Sequence, residues 1–258
     1  MNAKIRRETP RPEFRQILGI RFFVGGARRA IYLLRNGGLL VVPAAPALKN
    51  LAEDTGYRDA LLGADVAIAD SGLMVMIWNL VQKDDIRRLS GLKYLRELLT
   101  VSDIRATGRS LWIMPSVESA STNLAWLRKH GIEVSFDDVY LAPVYGENIE
   151  DEVLLKRIRE RRPAHVIVAL GGGTQERLGL YLKNNLLPVP AIHCIGAAIA
   201  FLSGDQVHIP HWADHLYLGW LFRCISQPKR FVPRYWSARK LIGMMLRYRE
   251  ELPETISK

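Results

Sequence analysis

The sequence predicts an α/β fold in which a parallel sheet is flanked by helices. Short apolar runs rich in β-branched residues alternate with segments of helical periodicity, which is typical of βαβ units. Glycines follow two of the helical segments, at Gly37-Gly38 and Gly131, where helices commonly end. These observations favour a Rossmann-like parallel sheet with a basic helical appendage at the C-terminus.

Six apolar runs are predicted as strands, and five segments between them as helices. The strands are Leu39–Val42, Val66–Ala69, Ser110–Met114, Val139–Leu141, His165–Leu170 and Ala191–Ile195. The helices are Ala27–Arg35, Ala47–Leu62, Lys93–Val101, Ser119–His130 and Asp151–Arg161, and a further helix is expected to begin near Thr174.

The composition is that of a folded basic protein. The 258 residues carry 36 Lys and Arg against 26 Asp and Glu, a formal charge of +10. Such a charge indicates an anionic partner: nucleic acid, lipid headgroups or a phosphorylated substrate. Cys194 and Cys224 lack metal-ligand spacing, so we expect free thiols in a reducing compartment. No secretory signal is recognisable, and no apolar stretch reaches the roughly 18 residues of a membrane span.

The last part of the chain differs from the rest. From Arg223 onward the sequence contains nine basic residues and three acidic ones, with aromatic residues interleaved. Interleaved aromatics favour an apolar or interfacial partner over a purely solvated helix face. We therefore expect an N-terminal extension at 1–16, an α/β core at 17–222 and a basic appendage at 223–258.

Asp70 is the first candidate for chemistry. It follows the strand Val66–Ala69, and ligands of α/β sheets bind at the carboxyl ends of strands. A carboxylate there can act as a general base on a sugar hydroxyl. The alternative is that Asp70 caps the next helix, while Asp65 is expected to be a surface or capping residue.

The glycines 171–173 and the following Thr174-Gln175-Glu176 form the second candidate site. A glycine turn between a strand and a helix offers backbone N–H groups to an anion such as a diphosphate. Neither the Walker nor the dinucleotide-binding spacing is present. The alternative is a tight turn in which Thr174 and Gln175 cap the helix.

Two further groups are weaker candidates. Arg87 and Arg88 could clamp a phosphate or carboxylate, or could be a solvated charge pair. His211 and His215, with His208 and Asp214 nearby, have helical metal-pair spacing. Pro210 lies among them and no third ligand is fixed, so ordinary loop histidines are favoured over a metal site.

Taken in order, these segments resemble the WecG/TagA/CpsF glycosyltransferases, from about Ile17 to Trp236. The family's opening isoleucine-glycine strand is matched by Ile17–Ile20. Its other motifs are matched by Tyr57–Leu61, Ala64–Gly72, Arg88–Leu92, Val168–Glu176, Gly204, Pro210, Trp212, Trp220–Arg223, Pro228, Arg230 and Arg234-Tyr235.

The resemblance implies an inverting transferase that needs no metal or other cofactor. It implies a UDP-sugar donor, a polyprenyl-diphosphate-linked sugar acceptor, and a position on the inner face of the cell membrane in bacterial surface polysaccharide synthesis. Asp70 falls on the family's base and Arg88 on its conserved arginine. Binding of the UDP-sugar donor is assigned to Gly171, Gly172, Gly173, Gln175, Glu176, Arg223, Arg230 and Arg234.

Several positions depart from the family pattern. Val42 and Ala44 stand where a threonine and an asparagine are usual, and Ser71 follows Asp70 in place of glycine. Gly173-Thr174, Ala200 and Gly219 also differ from the usual residues. A non-catalytic nucleotide-sugar or lipid-headgroup binding protein is therefore the alternative. A nucleic-acid partner is not expected, because the basic residues concentrate in the tail and no such motif is present. The sequence leaves the sugar, the acceptor and homo-oligomerisation open.

Overall fold

The computed structural model describes residues 13–205, 224–225 and 228–256. Its strands are β1 (Phe14–Ile17), β2 (Ile20–Phe23), β3 (Gly38–Val41), β4 (Val66–Ile68), β5 (Ser110–Met114), β6 (Val139–Leu141), β7 (His165–Val168) and β8 (Ala191–Cys194). Its helices are α1 (Ala27–Leu33), α2 (Ala45–Leu48), α3 (Thr55–Leu62), α4 (Gly72–Gln82), α5 (Gly91–Leu98), α6 (Ser102–Arg105), α7 (Val117–Lys129), α8 (Glu152–Arg161), α9 (Thr174–Asn185), α10 (Ala198–Ser203), α11 (Pro228–Ser237) and α12 (Lys240–Tyr248).

The eight strands form one sheet in the order β1-β2-β4-β3-β8-β7-β5-β6, parallel except for the β1–β2 pair. The predicted α/β class is confirmed. The six predicted strands are all present, within two residues of their expected bounds. The predicted strand at Ile17–Ile20 is wrong. Leu18 and Gly19 have φ of 52° and 74° and form the turn between β1 and β2.

Helices cover both faces of the sheet, so a hydrophobic core lies on each face. Residues of α2, α3, α4, α8, α9 and α12 pack on one face, and residues of α1, α5, α6, α7 and α10 pack on the other. The predicted single helix Ala47–Leu62 is divided, because Asp54 caps a new helix by accepting a hydrogen bond from the Tyr57 amide at 2.8 Å.

The C-terminal segment packs on the first of these faces. Leu241 and Met245 of α12 are buried, and α12 lies against α4. Beyond α12 the backbone reaches the β1–β2 turn, where the amides of Leu18 and Gly19 donate to the carbonyls of Arg249 and Glu250. A Cβ on Gly19 would lie 2.5 Å from that of Leu252. The division of the chain into extension, core and appendage stays a prediction.

Candidate active site

The four central strands bring the candidate residues to one edge of the sheet. β4, β3, β8 and β7 are adjacent and parallel, so the loops after them leave from the same edge. Val42 follows β3, Asp70 follows β4, Gly171 follows β7 and Gly196 follows β8. This edge is where open α/β sheets bind ligands.

Asp70 is held by its neighbours at one carboxylate oxygen. Oδ1 accepts from the Gly91 amide at 3.0 Å and from Arg88 Nη2 at 3.4 Å, and Arg88 Nε donates to the Asp70 carbonyl at 2.5 Å. Gly91 begins α5, so the carboxylate also faces the positive end of a helix. Asp70 does not cap α4: Ser71 does, accepting from the Met74 amide. Within the described residues Oδ2 has no partner, and the side chain is 20% exposed.

Val42, one of the residues that depart from the family pattern, packs beside the N-terminus of α5. Val42 is buried, and a Cβ on Gly91 would meet its Cγ1 at 2.9 Å. The loop after β3 therefore contributes an apolar contact beside the N-terminus of α5, at the point where a polar residue was expected.

Asp65 lies at the opposite edge of the sheet, where its Oδ2 accepts from the Leu39 amide and from Lys183 Nζ, both at 2.8 Å.

The glycine turn after β7 is stabilised from beneath by two buried side chains. Glu176 Oε2 accepts from the Gly173 amide at 2.6 Å, and its Oε1 accepts from Gln175 Nε2 at 3.0 Å. Gln175 Oε1 accepts from the Gly196 amide at 2.6 Å, which joins this turn to the loop after β8. Gly173 has φ of 95°, a conformation that other residues rarely adopt. Thr174 and Gln175 do not cap this helix, whose N-cap residue is Gly173.

A pocket of about 340 Å³ opens beside this turn. Its lining includes Lys49, Asn50, Gly172, Gly173 and Tyr57. Among the described residues, no acceptor is found for the amides of Gly172 and Thr174, and the Tyr57 hydroxyl is buried without a hydrogen-bond partner. Burial, with Glu176 and Asp54 nearby, raises the pKa of Tyr57 well above its ordinary value, so the hydroxyl remains a donor. These donors suit an anionic ligand.

Glu176 is expected to make stability depend on pH. Burial raises its pKa to about 7 from 4.5. Between these values the folded protein binds more protons than the unfolded chain, so stability falls as pH rises from about 4.5 to about 7. The loss is on the order of 3 kcal/mol. We expect Glu176→Gln to remove this part of the pH dependence, as measured by urea unfolding at a series of pH values. Parallel profiles for the two proteins would contradict the assignment.

Three predicted donor-binding residues cannot be placed. Arg223 lies outside the described residues, as do the side chains of Arg230 and Arg234. The histidine cluster at 208–215 is also outside them. Among the residues that the structure does describe, no group of three or more His, Cys, Asp or Glu side chains could hold a metal ion, and no helix is long and apolar enough to cross a membrane.

Comparison with known proteins identifies the family. The sequence model of the glycosyl transferase WecG/TagA/CpsF family matches residues 15–254. The chain belongs to this family of transferases. The site at the carboxyl edge of the sheet is therefore the candidate active site of a WecG/TagA/CpsF glycosyltransferase, and the resemblance noted in the sequence is confirmed.

Curated relatives in this family are similar at low identity. One is the N-acetylglucosaminyldiphosphoundecaprenol N-acetyl-beta-D-mannosaminyltransferase of Bacillus subtilis, 23% identical over 71% of each chain. Proteins of the same name from Bacillus spizizenii and Staphylococcus aureus are 24% and 20% identical, over 80% and 74% of each chain.

The structure places most of the predicted WecG/TagA/CpsF site residues within the described chain in two groups at the carboxyl edge of the sheet. Asp70 and Arg88 are in contact, and Gly171, Gly172 and Gly173 form the turn above Gln175 and Glu176. Gln175 and Glu176 direct their side chains to protein partners and not to open space. Sequence reasoning missed Tyr57 as a pocket residue, because only the fold shows that its hydroxyl is buried with no partner among the residues described.

Proposed function

We propose that this chain transfers an N-acetylhexosamine from a UDP-sugar to a polyprenyl-diphosphate-linked sugar, with inversion and without a metal. The observation that carries the proposal is the carboxylate of Asp70 at the ligand-binding edge of a family fold. One of its oxygens is held by Gly91 and Arg88, and the other has no partner among the described residues. The relatives' names specify an N-acetylmannosaminyl group and an N-acetylglucosaminyl-diphosphoundecaprenol acceptor.

The stereochemistry follows from a single displacement. UDP-N-acetylhexosamine donors carry the sugar in α linkage, and the relatives' names specify a β product. In the proposed step Asp70 Oδ2 removes the proton of the acceptor hydroxyl, whose oxygen attacks the anomeric carbon. The bond from that carbon to the UDP oxygen breaks, and the electron pair leaves with the diphosphate.

The leaving diphosphate requires stabilisation of its charge. The Gly172 amide, the Tyr57 hydroxyl and the Lys49 ammonium lie at the pocket beside the glycine turn and support this role. Among the described residues neither the Gly172 amide nor the Tyr57 hydroxyl has a hydrogen-bond partner. Such preorganised donors can replace a metal in stabilising the developing charge. Ser237 of α11 also lines the pocket, which supports a part for the C-terminal segment in closing the site. Arg223, Arg230 and Arg234 stay predicted donor ligands.

A release assay tests the proposed reaction. UDP-N-acetylmannosamine and other UDP-sugars are incubated with N-acetylglucosaminyl-diphospho-lipid, in EDTA and with added Mg²⁺, and UDP release and the anomeric configuration of the product are measured. We expect acceptor-dependent UDP release and a β product under both conditions. Binding of a UDP-sugar with no release on any acceptor would favour the binding protein, for which the apolar Val42 in the site loop is the motivating observation.

Tyr57→Phe is expected to separate ligand binding from stability. Removing a buried hydroxyl that has no partner within the described part of the chain should raise the free energy of unfolding by about 1 kcal/mol. The loss of a donor to the diphosphate should weaken UDP binding about fivefold. The control is Tyr140→Phe, whose hydroxyl donates to Asp151. It should lose stability and bind UDP normally. A Tyr57→Phe protein that binds UDP as tightly as the wild type removes Tyr57 from the site.

We further propose that the protein docks on the inner membrane surface through α4, α11 and α12. Met76 and Leu80 of α4 are exposed, as are Trp236, Ile242 and Leu246 of the two C-terminal helices. Because α4 and α12 pack together, their exposed residues belong to one region of the surface. Arg239, Lys240 and Arg247 add positive charge there, which suits anionic headgroups.

Charge reversal tests this docking. Arg239→Glu with Lys240→Glu should weaken binding to phosphatidylglycerol-containing vesicles at least tenfold, since each basic residue contributes about 1 kcal/mol. Transfer to a short, water-soluble acceptor should be unchanged. Lys129→Glu with Lys156→Glu on α7 and α8 is the matched control and should bind vesicles normally. Equal vesicle binding by all three proteins would exclude the proposed surface.

A further inference from the structure

A large cleft lies at the opposite edge of the sheet from Asp70. It has a volume of about 1010 Å³ and is bordered by residues that precede or begin β3, β5, β7 and β8, among them Gly37, Arg109, His165 and Ala191. Its lining also includes apolar side chains, such as those of Ile31, Val101 and Leu186. The proposed transfer reaction uses none of these residues.

The lining of this amino-edge cleft is strongly basic. It contains the arginines 28, 35, 109, 159 and 162 and two acidic residues, Glu97 and Asp103. Both acids are paired within the cleft, Glu97 with Arg28 and Asp103 with Arg109, each at 2.9 Å. Within the described part of the chain, no carboxylate lies at ion-pair distance from Arg35 or Arg162. The cleft therefore retains uncompensated positive charge.

A buried hydrogen-bond chain ends at this cleft. The Tyr94 hydroxyl lies 2.7 Å from His193 Nδ1, and His193 Nε2 lies 3.0 Å from His165 Nδ1. Tyr94 and His193 are fully buried, whereas His165 is partly exposed and lines the cleft. The two imidazole rings are stacked, 5.2 Å apart. Burial lowers the pKa of both histidines, so both are neutral at neutral pH.

The direction of the hydrogen bonds follows from the inventory of donors. His193 Nδ1 is the one partner found for the buried Tyr94 hydroxyl among the described residues, so the hydroxyl donates to it. A neutral His193 then carries its proton on Nε2 and donates to His165 Nδ1. His165 in turn carries its proton on Nε2. That N–H has no acceptor among the described residues.

We propose that the amino-edge cleft is a second anion-binding site, in which His165 Nε2–H and Arg162 hold a phosphate group. The ligand class is a phosphorylated small molecule with an apolar moiety, which would rest on the apolar lining of the cleft. An Arg fork matches the geometry of phosphate, and the cleft volume is that of a small-molecule site. The site is separate from the transfer site and does not depend on the transfer reaction.

Histidine NMR tests the hydrogen-bond chain directly. In ¹⁵N-labelled protein we expect His165 and His193 both to be protonated at Nε2 and unprotonated at Nδ1. Adding phenyl phosphate, a probe with a phosphate and an apolar ring, should shift the His165 Nε2 signal at lower concentration than inorganic phosphate does. A proton on His165 Nδ1, or a His165 signal that neither probe shifts, would overturn the proposal.

Variants distinguish this site from phosphate binding elsewhere. Arg162→Gln should weaken the effect of phenyl phosphate on His165 about tenfold, because a charge-assisted hydrogen bond is lost. Arg21→Gln, on β2 and outside the cleft, makes the same change in charge and should have no effect. If both weaken the response equally, the binding reflects net charge alone and the site does not exist.

Tyr94→Phe tests the chain at a distance. Tyr94 does not line the cleft, but its hydroxyl selects the tautomer of His193 and hence that of His165. The variant should lose part of the His165 Nε2 protonation and bind phenyl phosphate severalfold more weakly, with the fold intact by amide spectra. Unchanged tautomers and unchanged binding would show that Tyr94 does not orient the histidines and would refute the chain.

Discussion

Asp70→Asn is expected to reduce transferase turnover by roughly 10²- to 10⁴-fold while leaving UDP-sugar binding nearly unchanged. Asparagine keeps Oδ1 as an acceptor for Gly91 and Arg88 but puts an amide, which cannot take a proton, in place of Oδ2. Turnover is measured by UDP release on the lipid-linked acceptor, and donor affinity by titration calorimetry. The loss should appear in kcat, with little change in the donor Kd.

The control is Asp65→Asn, on the same segment of chain but at the opposite edge of the sheet. It loses the ion pair with Lys183 and should reduce stability slightly while leaving turnover near the wild-type value. If Asp70→Asn turns over at the wild-type rate, Asp70 is not the base. If it loses donor binding in proportion to turnover, its role is structural, through Arg88 and the start of α5.

Truncation after Gln227 is expected to destabilise the protein by several kcal/mol. It removes Ala238, Leu241 and Met245, which are buried, and large buried side chains contribute about 2–5 kcal/mol each. It also removes the bond from Arg58 Nη1 to the Pro253 carbonyl. Urea unfolding should show the loss of stability. Relative to the full-length protein, the rate of amide exchange should increase most in α4, which α12 covers.

Loss of activity on truncation therefore does not by itself measure membrane docking. The full-length Arg239→Glu, Lys240→Glu protein serves as the control, because both side chains are exposed and the change should leave the urea midpoint nearly unaltered. A truncated protein as stable as the full chain would show that α11 and α12 do not contribute to the fold.

The sequence predicted the strands of the sheet well, because six of them are short apolar runs between turn residues. Two errors have local causes. Ile17–Ile20 is apolar throughout and resembles a strand, yet Leu18 and Gly19 form a turn. Helix α4 was not predicted as a separate element because its residues continue the apolar pattern of β4 and contain no charge.

The candidate site was predictable in its parts and not in its contacts. Two features of the site are local sequence patterns: a carboxylate that follows a strand, and a run of glycines between a strand and a helix. Asp70 and Gly171–Gly173 could therefore be predicted. That Asp70 binds the start of α5, and that Glu176 lies beneath Gly173, depends on segments distant in the chain or turned inward by the fold. No local pattern marks Tyr57 as a pocket residue.

The contacts between the β1–β2 hairpin and the segment after α12 have a consequence for how the protein folds during synthesis. Gln16 donates to the Glu250 carbonyl across a sequence separation of 234 residues, and the neighbouring β1–β2 turn is bound by the same C-terminal segment. The ribosome must therefore release the chain as far as Glu250 before the β1–β2 hairpin can form these hydrogen bonds. Until α12 has been synthesised, the apolar face of α4 that Leu241 and Met245 cover is open to solvent, so the nascent chain is prone to aggregation during that interval.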